Sequence, residues 1–246
     1  MAAQNAPAWL LHTACVLCAA AVAGCSGSAG VDKSTGPGTT PEPSSQDASR
    51  PQHDYNVLLV TLDTTRADYL GCYDAAHAEL TPNLDALAAD AVRFEFAIAQ
   101  ASATPVSHAS ILTGLNPYEH GVRVISADAG YKLSPEIPTL TTVLKGHGWA
   151  TGAFLSSFTV SEYYGFDYGF DTFDSGLQRD VSRPFVRDRD GYARWPVGTG
   201  QRRSDATTDR ALAWLAATKD RPFFLWVHYW DPHDWLVLPP PAERAA

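Results

Sequence analysis

Residues 103–114 read ATPVSHASILTG, which places Thr104, Ser107 and His108 at the front of an apolar helical run that stops at Thr113-Gly114. Two hydroxyls and an imidazole within five positions fit two uses. In one, Thr104 is a helix cap whose oxygen satisfies a free N–H, worth about 1 kcal/mol. In the other it is a nucleophile: a hydroxyl is weak at its free pKa and needs a metal or a base to activate it. A helix N-terminus offers N–H groups and a positive dipole end to anionic oxygens. His108, one turn on, is placed to donate a hydrogen bond to the same oxygens. The chemistry suited to this arrangement is attack by an activated hydroxyl on an anionic substrate.

Other polar residues fall where such a site would need them. Asp63 ends the apolar run NVLLVTLD, and His228 with Asp231-Pro232-His233 ends RPFFLWVHYW. Continuous apolar runs rich in β-branched and aromatic residues suit strands buried on both faces. The intervening segments follow helix grammar. TPNLDALAAD has Thr81 as N-cap and Pro82 at N1, with Leu84, Leu87 and Ala88 inward. PEIPTLTTVLKGHG turns Leu140, Val143 and Leu144 inward, and ATTDRALAWLAA does the same with Leu212 and Leu215. VRFEFAIA alternates as a strand, WATGAFL is a further buried strand, and residues 175–203 read as a long loop or insertion. Strands alternating with helices predict an α/β fold with a largely parallel sheet and helices on both faces. Ligands of such sheets collect at the carboxyl ends of the strands, the rim that holds Asp63, His228, Asp231, His233 and the start of helix 106–113.

The chain has 246 residues, 45% of them hydrophobic, and a net charge of −9. That balance argues against nucleic acid as a partner, but an anionic substrate remains compatible because a metal ion inverts the local field. Residues 1–31 carry no Asp, Glu, Lys or Arg, and ACVLCAAAVAG within them is a short apolar core ending in VAGC. Residues 1–24 are therefore expected to be a signal peptide resembling that of a bacterial lipoprotein, with Cys25 the lipidated residue. Several acyl chains on Cys25 would anchor the protein stably to a membrane of the cell envelope. Residues 26–53, rich in Gly, Ser, Thr and Pro, form the tether, and the folded domain occupies 54–246. Of the four cysteines only Cys72 would stand outside the signal and anchor, which leaves no internal disulfide.

Taken together, NVLLVTLDTTRADYLGCYD, TPNLDALAADAVRFEFAIAQASATPVSHASILTGLNPYEHGVR, TLTTVLKGHGWATGAFLSSF, GFDYGFDTFD and RPFFLWVHYWDPHDWLVLPP resemble the N-terminal half of a sulfatase-type domain. That domain belongs to the alkaline phosphatase superfamily of metal-dependent hydrolases. The resemblance implies an alkaline-phosphatase-like α/β fold. It makes Asp63 a metal ligand, a hard oxygen suited to Ca²⁺, Mg²⁺ or Mn²⁺. It puts Thr104 at the nucleophile position, where it would also bind the metal as an alkoxide. It makes His233 a substrate contact oriented by Asp231. Thr64 stands where many relatives have a second Asp, and Val106 stands where the formylglycine motif has Pro. Ser156 and Phe158 replace a Lys and a His that hold sulfate. A threonine cannot become formylglycine, so a phosphoester is expected over a sulfate ester. The substrate class is an anionic ester of a glycan, a lipid headgroup or a small molecule. The family draws further metal ligands, Asp-His or Asp-Asn, from a later strand. No S-D-H-G-like stretch occurs in these residues, so the domain is expected to be C-terminally truncated. The alternative expectation is an inactive sulfatase-fold module that binds an anionic glycan.

Overall fold

The computed structural model describes residues 55–176 and 200–233, together with the backbone of short strands at 16–18, 186–187 and 193–194. Cys25 and the tether lie outside the described residues, as does most of the stretch 175–203. Strands are numbered β1 (Val16–Cys18), β2 (Val57–Leu62), β3 (Ala150–Leu155), β4 (Thr172–Asp174), β5 (Val186–Arg187), β6 (Ala193–Arg194) and β7 (Phe223–Tyr229). Helices are α1 (Pro82–Ala89), α2 (Thr104–Thr113), α3 (Pro117–His120), α4 (Leu140–Gly146) and α5 (Ser204–Thr218). The main sheet runs in the order β1-β2-β7-β3-β4, and β5 pairs with β6 apart from it. Strands β2, β7, β3 and β4 are mutually parallel. Strand β1, within the stretch read as a signal-peptide core, runs antiparallel along the outer edge of β2.

The period of two along β7 sorts its side chains between two cores. Phe224 and Trp226 join Leu59, Ala153 and Leu155 on one face, where Val106, Ala109 and Leu112 of α2 cover them. Phe223, Leu225 and Val227 join Ala150 and Phe154 on the other, against Ala211, Trp214 and Leu215 of α5. With both faces covered, the expected doubly buried parallel sheet is what forms. Gly152 lets α5 come close: a Cβ there would stand 2.8 Å from the Trp214 ring.

Several expected faces differ. Leu212 is exposed, because α5 turns Ala211, Trp214 and Leu215 inward instead. Leu140 and Val143 are exposed and only Leu144 packs on the core, since Thr139 caps α4 in a capping box and sets its rotation. Thr81 is the N-cap of α1 as read, but Leu87 is exposed and α1 buries no residue. Residues 92–99 do not form a strand; they run as irregular chain with no partner strand among the described residues.

Candidate active site at the carboxyl rim of the sheet

The carboxyl ends of β2 and β7 lie side by side, with Thr61 opposite His228 and Leu62 opposite Tyr229. The ladder continues one step, as the Asp63 N–H donates to the Tyr229 carbonyl at 2.9 Å. That step turns the Asp63 side chain into the rim, where only 6% of the residue is exposed. Its neighbour Thr64 has φ of 56°, a left-handed conformation costly for a β-branched residue. The chain is thus bent sharply where it leaves β2.

Helix α2 aims its N-terminus at the same place. Its N-cap is Ala103, and Thr104 is the first helical residue, with no side-chain cap hydrogen bond. Of the two uses open to Thr104, capping is therefore not the one it serves. Pro105 has no N–H, and the Ser107 N–H is bound to the Ala103 carbonyl. The N–H groups of Thr104 and Val106 consequently have no acceptor within the helix. Gly114, at φ 70°, closes the far end by donating to the Ser110 carbonyl. Asp63, Thr64, Thr104, Ser107 and His108 line one cleft with residues 101–103, and its free space is about 20 Å³.

His108 is buried and its Nδ1 lies 2.8 Å from the Thr104 carbonyl oxygen. A carbonyl only accepts, so Nδ1 carries the proton and Nε2 keeps its lone pair. Burial, then the neighbouring His228, push its pKa down to about 4, against smaller opposing pulls from Asp63 and the Thr104 carbonyl. His108 is thus neutral near pH 7, and its free nitrogen accepts. In that tautomer Nε2 accepts, whereas the expected hydrogen bond to a substrate oxygen has the ring donating. Nε2 has no hydrogen-bond partner.

His228 follows Phe224 and Trp226 on the α2 face of β7 and is completely buried. Its Nε2 is 3.5 Å from Asp63 Oδ2, a long contact at the limit of hydrogen bonding that favours the ionised carboxylate. Its ring packs edge-on to His108 with centroids 5.0 Å apart. Burial opposes ionisation of Asp63, but His228, His108 and His233 together hold its carboxyl below the usual carboxylate range. Sequence reading noted His228 as a strand-end residue and gave it no role. The signal was its parity with Phe224 and Trp226, which fixes the face it shares with α2.

Asp231 and His233 sit at the edge of this group. Asp231 Oδ1 accepts from the Ser204 N–H at the start of α5, which ties the β7 rim to that helix. Its Oδ2 is buried without a partner. The His233 ring stacks on Trp230 at 3.7 Å. Ser156, at the end of β3, donates to the His228 carbonyl at 2.8 Å and accepts from the Trp230 N–H at 2.6 Å. Ser156 thereby stitches the end of β3 to the end of β7. His120 is structural: its Nδ1 accepts from Val122 N–H, so Nε2–H donates to Ser110 Oγ.

For a divalent metal, the orphaned Asp63 oxygen is a suitable ligand and Thr104 shares its cleft. Among the described residues no three His, Cys, Asp or Glu side chains converge as a finished metal site. The fit is that of part of a coordination shell.

A parallel sheet whose carboxyl rim gathers a buried carboxylate, a helix-borne hydroxyl and buried imidazoles has the alkaline-phosphatase-like α/β fold. The sulfatase family description matches residues 55–245, and the chain belongs to the sulfatase family. It is 26% identical over 205 residues to an N-acetylglucosamine-6-O-sulfatase of Bacteroides thetaiotaomicron, covering 80% of this chain and 33% of that protein. It is 30% identical over 180 residues to human N-sulphoglucosamine sulphohydrolase, covering 72% of this chain and 32% of that one. The chain thus spans about a third of the length of these relatives. The fold resembles that of a phosphonate monoester hydrolase of Agrobacterium radiobacter, with a TM-score of 0.56 at 24% identity over 77% of this chain and 43% of that one. It also resembles a protein solved in complex with its substrate D-glucosamine-2-N,6-O-disulfate, with a TM-score of 0.55 at 23% identity over 72% of this chain and 34% of that one.

Proposed function

We propose that this chain carries the nucleophile side of a metal-dependent hydrolase acting on sulfate or phosphate esters, with Thr104 favouring a phosphoester. The observation that carries the reading is Thr104 itself. It opens α2, is free of capping duty, and shares a cleft with the ionised Asp63. Sulfatase relatives named for sulfated glucosamine support a glycan as the alcohol part of the ester.

The chain's own groups divide the work. The N–H groups of Thr104 and Val106 hold the anionic oxygens of the substrate, which the α2 dipole also favours. His108 Nε2 takes the Thr104 hydroxyl proton. Thr104 Oγ forms the bond to phosphorus, the ester oxygen leaves, and the same proton passes to it to give the alcohol. Water then cleaves the threonyl ester and restores the hydroxyl. A divalent metal on Asp63 would supply positive charge that lowers the hydroxyl pKa and steadies the transferring group. His233, stacked on Trp230, would contact the substrate from the rim. A lipid anchor at Cys25 would hold this activity at the surface of the cell envelope.

The test is hydrolysis of aryl phosphate, phosphodiester and aryl sulfate substrates by the gene product, with and without chelator. Chelator-sensitive turnover, faster on phosphate than on sulfate, is the expected result. Faster sulfate turnover would remove the phosphoester preference. No turnover, together with retained binding of a sulfated or phosphorylated glycan, would favour a non-catalytic binding module.

A further inference from the structure

Asp231 was expected to orient His233, but its carboxylate is engaged elsewhere. Oδ1 accepts from the Ser204 N–H, and Oδ2 has no hydrogen-bond partner. His233 is exposed, and an exposed side chain samples several rotamers unless something packs on it. What packs on it is Trp230. The two ring centroids are 3.7 Å apart and the planes 16° from parallel.

The local chain makes that stack. Strand β7 ends at Tyr229, and the His233 N–H donates to the Trp230 carbonyl at 2.8 Å. This closes a tight turn over Trp230-Asp231-Pro232-His233, which sets its first and last residues side by side. The indole is fixed where the imidazole is not. Trp230 is 5% exposed, its N–H donates to Ser156 Oγ at 2.6 Å, and its ring lies 6.4 Å from that of His228. A flat buried surface therefore lies under one face of His233. The imidazole nitrogens lie in the ring plane, so the stack does not cover them. An indole face also attracts a cation, so the platform suits imidazolium as well as the neutral ring. His233 is near enough to Asp63 for its charge to favour the ionised carboxylate, which puts the platform at the rim that holds the cleft.

We propose that Trp230 is a positioning residue, whose buried indole sets the His233 imidazole at the carboxyl rim so that an in-plane nitrogen meets an anionic oxygen of the substrate. The inference rests on the functional reading in giving His233 a substrate to contact. It goes beyond that reading in assigning the orienting role to Trp230 rather than to Asp231.

The experiment is proton–carbon NMR of the histidine rings in the purified full chain, titrated with inorganic phosphate in the presence of Mg²⁺. The ring current of an underlying indole should place the His233 ring protons upfield of those of the exposed His147. Phosphate should then shift the His233 signals. Trp230→Leu should return them to the His147 position and weaken phosphate binding about fivefold. Made on top of His233→Ala, the same substitution should cause no further loss, because effects that act through one another do not add. A merely structural role for Trp230 gives the opposite, an equal loss with and without His233. Loss of a buried indole can unfold the chain, so Trp230→Phe is the second variant. It keeps an aromatic face and should keep most of the affinity and part of the upfield shift. Four results would each overturn the proposal: His233 ring protons at the His147 position in the unmodified chain, phosphate that leaves them unmoved, an equal loss in both backgrounds, or Trp230→Phe binding no better than Trp230→Leu. The two readings fail separately. Coupling of Trp230 to His233 without ester turnover by the gene product sinks the hydrolase, and turnover that Trp230→Leu lowers equally in both backgrounds sinks the platform.

Discussion

At the scale of single residues, the site depends on which groups are free. Thr104 has no capping role, so Thr104→Ala should cost well under 1 kcal/mol of stability yet abolish turnover. Paired denaturation and kinetic measurements on that variant check it. His108 makes the opposite case, since it is held neutral by burial. Its folded pKa is about 4 against an ordinary value of 6.5, so the unfolded chain binds the proton first as pH falls. Between those values stability drops with falling pH, on the order of 3 kcal/mol in total from this group. Asp63, depressed in the fold, adds a further loss only below the ordinary carboxylate range. Urea denaturation from pH 7 to pH 4 should show that slope in the unmodified chain and a much flatter one in His108→Gln. The sequence placed Thr104 and His108 together correctly. It did not reveal the tautomer, because that follows from which atom the Thr104 carbonyl meets in the finished helix turn.

At the scale of elements, the rim is built by stitches between strands. Ser156 bridges the ends of β3 and β7 through two buried hydrogen bonds. Ser156→Ala should leave the Trp230 N–H and the His228 carbonyl unpaired and cost about 1–3 kcal/mol. Urea denaturation of that variant reads the loss. The strands themselves were legible: NVLLVTLD, WATGAFL and RPFFLWVHYW are long, apolar and β-branched, and all three lie in the central sheet. The inward faces of α4 and α5 were legible only in part. Leu140, Val143 and Leu212 are as apolar as Leu144 and Leu215, and a one-residue change in helix rotation decides which of them meets the sheet. That rotation is set by the capping box at Thr139 and by the fit of Trp214 over Gly152.

At the scale of the whole molecule, residues 92–98 stand out. Val92, Phe94, Phe96 and Ile98 alternate with polar or small residues as a strand would, yet they are 75%, 59%, 89% and 83% exposed. An alternating apolar stretch with no partner strand among the described residues favours self-association. Phe96→Lys in the 246-residue chain should lower light scattering and dye binding at micromolar protein without lowering the melting temperature. Unchanged scattering would show that this stretch is not the adhesive surface. Among the described residues no helix is long and apolar enough to cross a membrane.

The sequence alone determined the α/β architecture and the family. Those features rest on composition and order along the chain, which folding does not rearrange. Tertiary structure alone decided that Thr104 is uncapped, that His108 presents a lone pair, and that Asp63 faces His228 across 3.5 Å. Each of these is a relation between groups brought together from different elements or turned by one helix step. Such distances and orientations are set by packing and appear in no local pattern.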